Sequence, residues 1–345
     1  MMRKVPVSDA VGMTICHDMT RIIPGKTKNR EFRRGDIITP ADVNRLRQLG
    51  KESVFIWEPD PEHIHEDEAA LRLARHAAGP GLAWSEPNQG KVSLIARHNG
   101  VFKVRVDRLN MINRIEDLAI ATLHNNQVVK KGEIVAGAKA IPLAVHRSKL
   151  DAAEKICCQP PEHLLSVKPF QSLWTGVVIT GTEVYSGRIQ DGFGSLLRRK
   201  IAPFGARMIG QTIVPDSVNV IAEEIRYLIN EGAELVLVTG GMSVDPDDVT
   251  PMAIRATGAE VVFYGAPVLP GSMFMLAYQG HVPICGIPAG ALFNKVTILD
   301  FLLPRIFAGE RIEREDIVLM GHGGLCRDCP VCHYPNCTFG KTAPV

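Results

Sequence analysis

From Trp174 onward, short apolar runs alternate with amphipathic stretches. WTGVVIT at Trp174–Thr180 reads as a buried strand, Arg207–Val214 as a second and LVLVT at Leu235–Thr239 as a third. Before the third, Val218, Ile221, Ala222, Ile225, Leu228 and Ile229 form the stripe of an amphipathic helix. Asp216 or Ser217 caps it and Gly232 ends it. Further helices are predicted over 195–204, 247–257 and 293–303, and a hairpin from 274–278 and 282–286. Strands alternating with helices imply an α/β domain, a mainly parallel sheet with helices on both faces.

The first 170 residues are patterned differently. Thr39 and Pro40 open a helix in which Val43, Leu46 and Leu49 recur at helical spacing before Gly50, and Ser53–Trp57 follows as a strand. These predict a small α+β unit over 1–60. Residues 61–170 predict a mostly β accessory domain and its connector. Val92, Leu94 and Ala96 alternate before Asn99-Gly100, and Val101, Val104 and Val106 follow it, which predicts a hairpin over 91–107. The tandem prolines Pro160-Pro161 mark a connector over 150–169. The α/β domain then covers 171–310 and a Cys-rich tail 311–345.

Composition narrows the class. Of 345 residues, 46% are hydrophobic and 22% charged, which excludes global disorder. The 39 Lys and Arg against 37 Asp and Glu leave +2, without the basic excess of a nucleic-acid binder. No apolar run reaches the ~18 residues that span a bilayer, and no apolar segment follows the basic start MMRK. The expected compartment is the cytoplasm. Cys326, Cys329, Cys332 and Cys337 form a Cys-x2-Cys-x2-Cys-x4-Cys run. In a reducing compartment that spacing points to four thiolates around Zn²⁺ or an iron–sulfur cluster, not to disulfides. Cys285 lies in an apolar run and reads as core. Cys16-His17-Asp18 and the stretch from Glu62 through His63 and His65 to Glu68 carry ligand-type side chains without a completing set.

Parallel sheets bind ligands at the carboxyl ends of their strands. The loops there include Thr180-Gly181-Thr182-Glu183, Asp191-Gly192, Pro215-Asp216, Thr239-Gly240-Gly241-Met242-Ser243 and Gly286-Ile287-Pro288-Ala289-Gly290. Glycine-rich turns that lead into helix N-termini suit a phosphate. Glu183, Asp191, Asp216, Asp245, Asp247 and Asp248 fall at the same end. They would repel a phosphate unless a divalent cation such as Mg²⁺ intervened. Asp216 and Asp248 equally suit helix capping.

Residues 174–310 resemble the molybdopterin-binding fold of the molybdopterin molybdenumtransferases. The matching pieces are TGTEV at 180–184, GRIQD at 187–191, PD at 215–216, TGGMSVDPDDVTP at 239–251 and LPG at 269–271, in order and spacing. With the stretch VLPGSMFMLAY and the Cys-rich tail, the chain is similar to a bacterial and archaeal subgroup described simply as molybdopterin-binding. The resemblance implies an enzyme that takes adenylylated molybdopterin, cleaves its phosphoanhydride with Mg²⁺, releases AMP and inserts molybdate at the dithiolene. It implies Glu183, Asp216 and Asp248 as catalytic residues that hold Mg²⁺. It implies Thr180, Gly181, Asp191, Thr239, Gly240, Gly241, Ser243 and Pro288 as the pterin-phosphate pocket, and a homodimer; a molybdoenzyme partner belongs to the alternative reading of a carrier that docks with one.

The chain departs from that pattern at four places. Thr182 stands where an acid is usual, and Asp191-Gly192-Phe193 replaces Asp-Ser/Thr-Asn. Ile287-Pro288-Ala289-Gly290-Ala291 replaces Leu-Pro-Gly-Asn-Pro, and the first 100 residues lack Ser-x-x-Asp-Gly-Tyr-Ala. Ligand binding is therefore the safer expectation. The alternatives to insertion are a molybdopterin adenylyltransferase and a non-catalytic carrier or sensor.

Overall fold

The computed structural model describes residues 2–23, 27–58 and 60–341; Met1, Pro59 and the segments 24–26 and 342–345 lie outside the described residues. The chain forms two compact units. One comprises Met1–Arg97, Val104–Leu123 and Lys131–Ser166; the other comprises His98–Lys103, His124–Lys130 and Val167–Val345. Among the described residues, no helix is long and apolar enough to cross a membrane.

A six-stranded sheet organises the second unit. Its strands are β1 (Trp174–Thr180), β2 (Arg207–Val214), β3 (Leu235–Thr239), β4 (Glu260–Tyr264), β5 (Met275–Gln279) and β6 (Val282–Ile287). They lie in the order β2-β1-β3-β6-β5-β4, the first four parallel and β5 antiparallel to both of its neighbours, β6 and β4. Successive side chains on a strand point to opposite faces, so each strand feeds two cores. Val177, Ile179, Leu235, Leu237, Cys285 and Ile287 pack with helices α1 (Phe193–Ile201) and α4 (Ile298–Phe307). Val178, Val236, Val238 and Ile284 pack with α2 (Val218–Asn230) and α3 (Thr250–Ala256). Burial on both faces is why these strands read as unbroken apolar runs. Cys285 is fully buried, as its apolar run predicts.

Helix starts follow side-chain capping. α1 begins at Phe193, two residues ahead of the predicted start. Asp191 Oδ1 accepts from the N–H groups of Phe193 at 2.7 Å and Gly194 at 3.2 Å. α4 begins at Ile298, five residues after the predicted start, where Thr297 N–H donates to Asp300 Oδ2 at 2.8 Å.

The predicted hairpin over 91–107 does not form. Lys91–Ala96 pairs with Leu82–Trp84 and Ile134–Ala140, whereas Gly100–Val104 pairs with Gln127–Val129. Gly100 is a strand residue under a crossing backbone, since a Cβ there would fall 2.1 Å from Lys168 O. Val106 opens a helix, Val106–Asn113, instead of extending the strand. The segment 150–157 is not connector but the greater part of another helix, Arg147–Cys157, which buries Leu150, Ala153 and Cys157.

The ligand-type side chains of the first unit serve local structure. The stretch from Glu62 to Glu68 leads into a helix, Glu66–Ala77, with His65 as its cap. His65 Nδ1 accepts from Asp67 N–H at 3.2 Å, so Nε2 carries the proton and donates to Cys16 O at 2.8 Å. Burial holds the His65 imidazole below its ordinary range. The Cys16 thiol, 3.4 Å from His17 Nδ1, is pushed by burial up to about 11, which leaves it a poor nucleophile.

Candidate ligand site

β1 and β3 are neighbours whose following helices pack on opposite faces of the sheet, which opens a crevice at their carboxyl ends. The turn after β3 presses against the end of β1. Gly240 has φ +84°, and a Cβ there would stand 2.5 Å from Thr180 O and 2.7 Å from Thr180 Oγ1. Gly241 has φ +54°, and its Cβ would meet Thr250 Oγ1 at 2.9 Å. Only glycine brings the backbone this close in that conformation.

Three buried threonines support this turn. Thr180 Oγ1 and Thr250 Oγ1 lie 3.3 Å apart, and Thr250 N–H donates to Gly241 O at 3.2 Å. Thr239 is fully buried, and its Oγ1 has no hydrogen-bond partner. A hydroxyl left so costs about 1–3 kcal/mol, which a ligand atom reaching it would recover. Tyr264 Oη donates to the carbonyls of Met242 at 2.8 Å and Ser243 at 3.3 Å. Met242 fills the space beside Gly286, its Cε 2.7 Å from where a Cβ would sit. The loop is thus held from below while Ser243 stays exposed.

The carboxylates are engaged separately. Asp216 Oδ2 accepts from Thr182 N–H at 2.7 Å, and Asp216 N–H donates to Thr182 Oγ1 at 3.2 Å. This reciprocal pair joins the loops after β1 and β2. Glu183 is exposed; its Oε1 lies 2.9 Å from where a Cβ on Gly181 would stand, and Gly181 has φ +141°. Asp191 caps α1, and Asp248 Oδ2 accepts from Asp245 N–H at 3.2 Å. Pro288 O accepts from Ala291 N–H at 3.0 Å.

Among the described residues, no three His, Cys, Asp or Glu side chains gather closely enough to hold a metal. Glu183, Asp216 and Asp248, which the resemblance implies as Mg²⁺ ligands, are accordingly not gathered into one cluster. Nearby N–H groups occupy Asp216 and Asp248, and Thr182 supplies no further charge. The four tail cysteines are likewise not gathered. Cys326 and Cys337 are half-buried, and Cys329 and Cys332 are exposed.

The structure does unite Thr180, Thr239, Gly240 and Gly241. It adds Thr250, Tyr264 and the Thr182 hydroxyl, which sequence reasoning missed. The only sequence signal for Thr250 is the Thr250-Pro251 helix start; Tyr264 carries none.

Comparison with known proteins points to the same segment. Residues 176–308 match a family described as a probable molybdopterin binding domain, and residues 4–58 match a domain of unknown function (DUF8806). CinA-like proteins of Mycobacterium avium (strain 104) and Mycobacterium tuberculosis (strain CDC 1551 / Oshkosh) are each 34% identical over 88 residues. That stretch is 25% of this chain and 20% of theirs. The chain spans about a fifth of the length of these curated relatives. Among solved structures, the molybdopterin biosynthesis enzyme MoaB from Thermus thermophilus is 21% identical with TM-score 0.33, over 40% of this chain and 98% of that one. The protein CinA, of unknown function, from Thermoplasma acidophilum is 13% identical with TM-score 0.31, over 34% and 88%. The family match over residues 176–308 is to a probable molybdopterin binding domain and does not single out the molybdenumtransferase branch.

Proposed function

We propose that residues 174–310 bind molybdopterin in the crevice between β1 and β3, in cytoplasmic molybdenum-cofactor assembly. The observation that carries this reading is the unpartnered Thr239 hydroxyl buried beside the Gly240-Gly241 turn. The turn's backbone suits a phosphate. Tyr185, Val244 and Phe293 are 60%, 84% and 85% exposed on the loops after β1, β3 and β6, and would cover a flat heterocycle. The match of residues 176–308 to a probable molybdopterin binding domain supports the same ligand.

Insertion of molybdate with release of AMP is the finer activity such a site would serve. The pairing of Thr182 with Asp216 favours a second reading, a carrier that holds the cofactor and passes it to a molybdoenzyme. One oxygen of the Asp216 carboxylate is already engaged by the Thr182 backbone.

Incubation with adenylylated molybdopterin, molybdate and Mg²⁺, followed by gel filtration, tests both. Retained pterin fluorescence is expected. AMP release marks the transferase, and retention without AMP marks the carrier. Absence of both refutes the ligand assignment. Thr239→Val removes the orphaned hydroxyl at constant volume. It is expected to leave the unliganded fold as stable or more so, and to weaken pterin binding about tenfold, roughly one hydrogen bond.

A further inference from the structure

The Cys-rich tail is held at its two ends. Leu325 bridges to Leu269, and Cys326 N–H donates to Leu269 O at 2.8 Å. At the far end Phe339 is buried, its ring edge-on to Phe301 at 4.9 Å between centroids, and Gly340 N–H donates to Gly323 O at 3.0 Å. Cys326 and Cys337 pack against the same core, as does Tyr334. Between these anchors, residues 327–333 are all exposed and include Cys329 and Cys332.

Two thiols therefore stand at the base of a loop and two on its open arc. The two-residue gaps limit the Cα separations of 326–329 and 329–332 to about 10 Å each. The arc can bring its thiols to the base by re-turning its own backbone, with the anchored ends in place. An exposed segment with few contacts has little local stability to lose in doing so.

We propose that Cys326, Cys329, Cys332 and Cys337 close around one soft metal centre, and that residues 327–333 take their final fold from it. The centre is a Zn²⁺ ion or an iron–sulfur cluster, since four thiolates complete either. Among the described residues the four thiols are not gathered, so closure requires the exposed arc to re-turn. Each thiol gives up its proton as its sulfur binds, so one Zn²⁺ displaces up to four protons and affinity weakens as the solution is acidified. The proposal is independent of the molybdopterin reading.

The test uses the full chain, purified without oxygen, with metal and acid-labile sulfide measured as isolated. The chain is then stripped with a chelator and titrated with Co²⁺ as a spectroscopic stand-in for Zn²⁺. Expected are one Co²⁺ per chain, the visible bands of a tetrahedral thiolate site, and slower proteolysis within 327–333. Cys329→Ser and Cys332→Ser, at exposed positions that do not threaten folding, should each weaken binding at least tenfold. Cys158→Ser, an exposed thiol of the first unit, should change nothing. Iron with sulfide as isolated assigns a cluster, and zinc assigns the ion. Absence of stoichiometric Co²⁺ binding, or thiolate bands that survive in the Cys329→Ser/Cys332→Ser double variant, would overturn the proposal.

Discussion

Gly240→Ala is expected to abolish pterin retention and to destabilise the second unit by roughly 3 kcal/mol or more. Two costs add there. The first is a side chain at φ +84°, worth about 1–2 kcal/mol. The second is the collision of the new methyl with Thr180 O at 2.5 Å. Thr180 ends β1, which pairs with β2 on one side and β3 on the other, so it has little room to yield. Gly258→Ala separates the two costs. Gly258 has φ +87° with no atom within 4 Å of its Cβ position, so its variant reports the backbone cost alone. Thermal unfolding should show the 240 variant well below the 258 variant, and only the former should lose pterin. Equal destabilisation would mean that the turn can move aside. Retained pterin in the 240 variant would remove the crevice as the ligand site.

That crowding was only half legible in the sequence. A Gly-Gly after an apolar run marks a turn, but the atoms that make glycine obligatory come from Thr180 and Thr250, on either side along the chain. The strands themselves were readable. Trp174–Thr180 and Leu235–Thr239 match their predicted bounds because a strand buried on both faces needs an unbroken apolar run, and the half-buried edge strand Arg207–Val214 matches its bounds as well. The 91–107 hairpin failed for the converse reason. Alternation about Asn99-Gly100 is a local property, whereas strand partners are chosen by long-range packing. The partners proved to be Gln127–Val129 for one arm and Ile134–Ala140 with Leu82–Trp84 for the other. The acids show a different limit. Sequence counts six of them at one end of the sheet, but geometry alone reveals that Asp191, Asp216 and Asp248 already accept backbone N–H groups. A carboxylate's partner is invisible in composition.

Glu310→Gln should cost the second unit about 3 kcal/mol near neutral pH, and the loss should vanish in acid. The Glu310 side chain is only 6% exposed. Lys103 Nζ pairs with Oε1 at 2.8 Å and donates to Oε2 at 3.0 Å, and Arg305 Nε donates to Oε2 at 2.8 Å. Burial by itself would push this carboxyl up. The Lys103 ammonium and the Arg305 guanidinium outweigh it and hold the group down at about 2, against an ordinary 4.5. A depressed carboxyl stabilises the fold fully above its unfolded pKa and loses that contribution as pH falls through its folded one. The window therefore runs from about 4.5 down to about 2. At about 1.36 kcal/mol per pH unit, the contribution is about 3 kcal/mol. Gln imitates the protonated acid, so urea midpoints of wild type and variant should differ near neutral pH and converge below that window. Lys168, 43% exposed and 3.3 Å from Oε1, is a control, and Lys168→Met should cost under about 1 kcal/mol. Lys103→Met in the Glu310→Gln background should recover part of the loss, because most of the penalty is an ammonium left buried without its carboxylate. Additive losses in that double variant would instead mean that Lys103 and Glu310 stabilise the unit independently of one another.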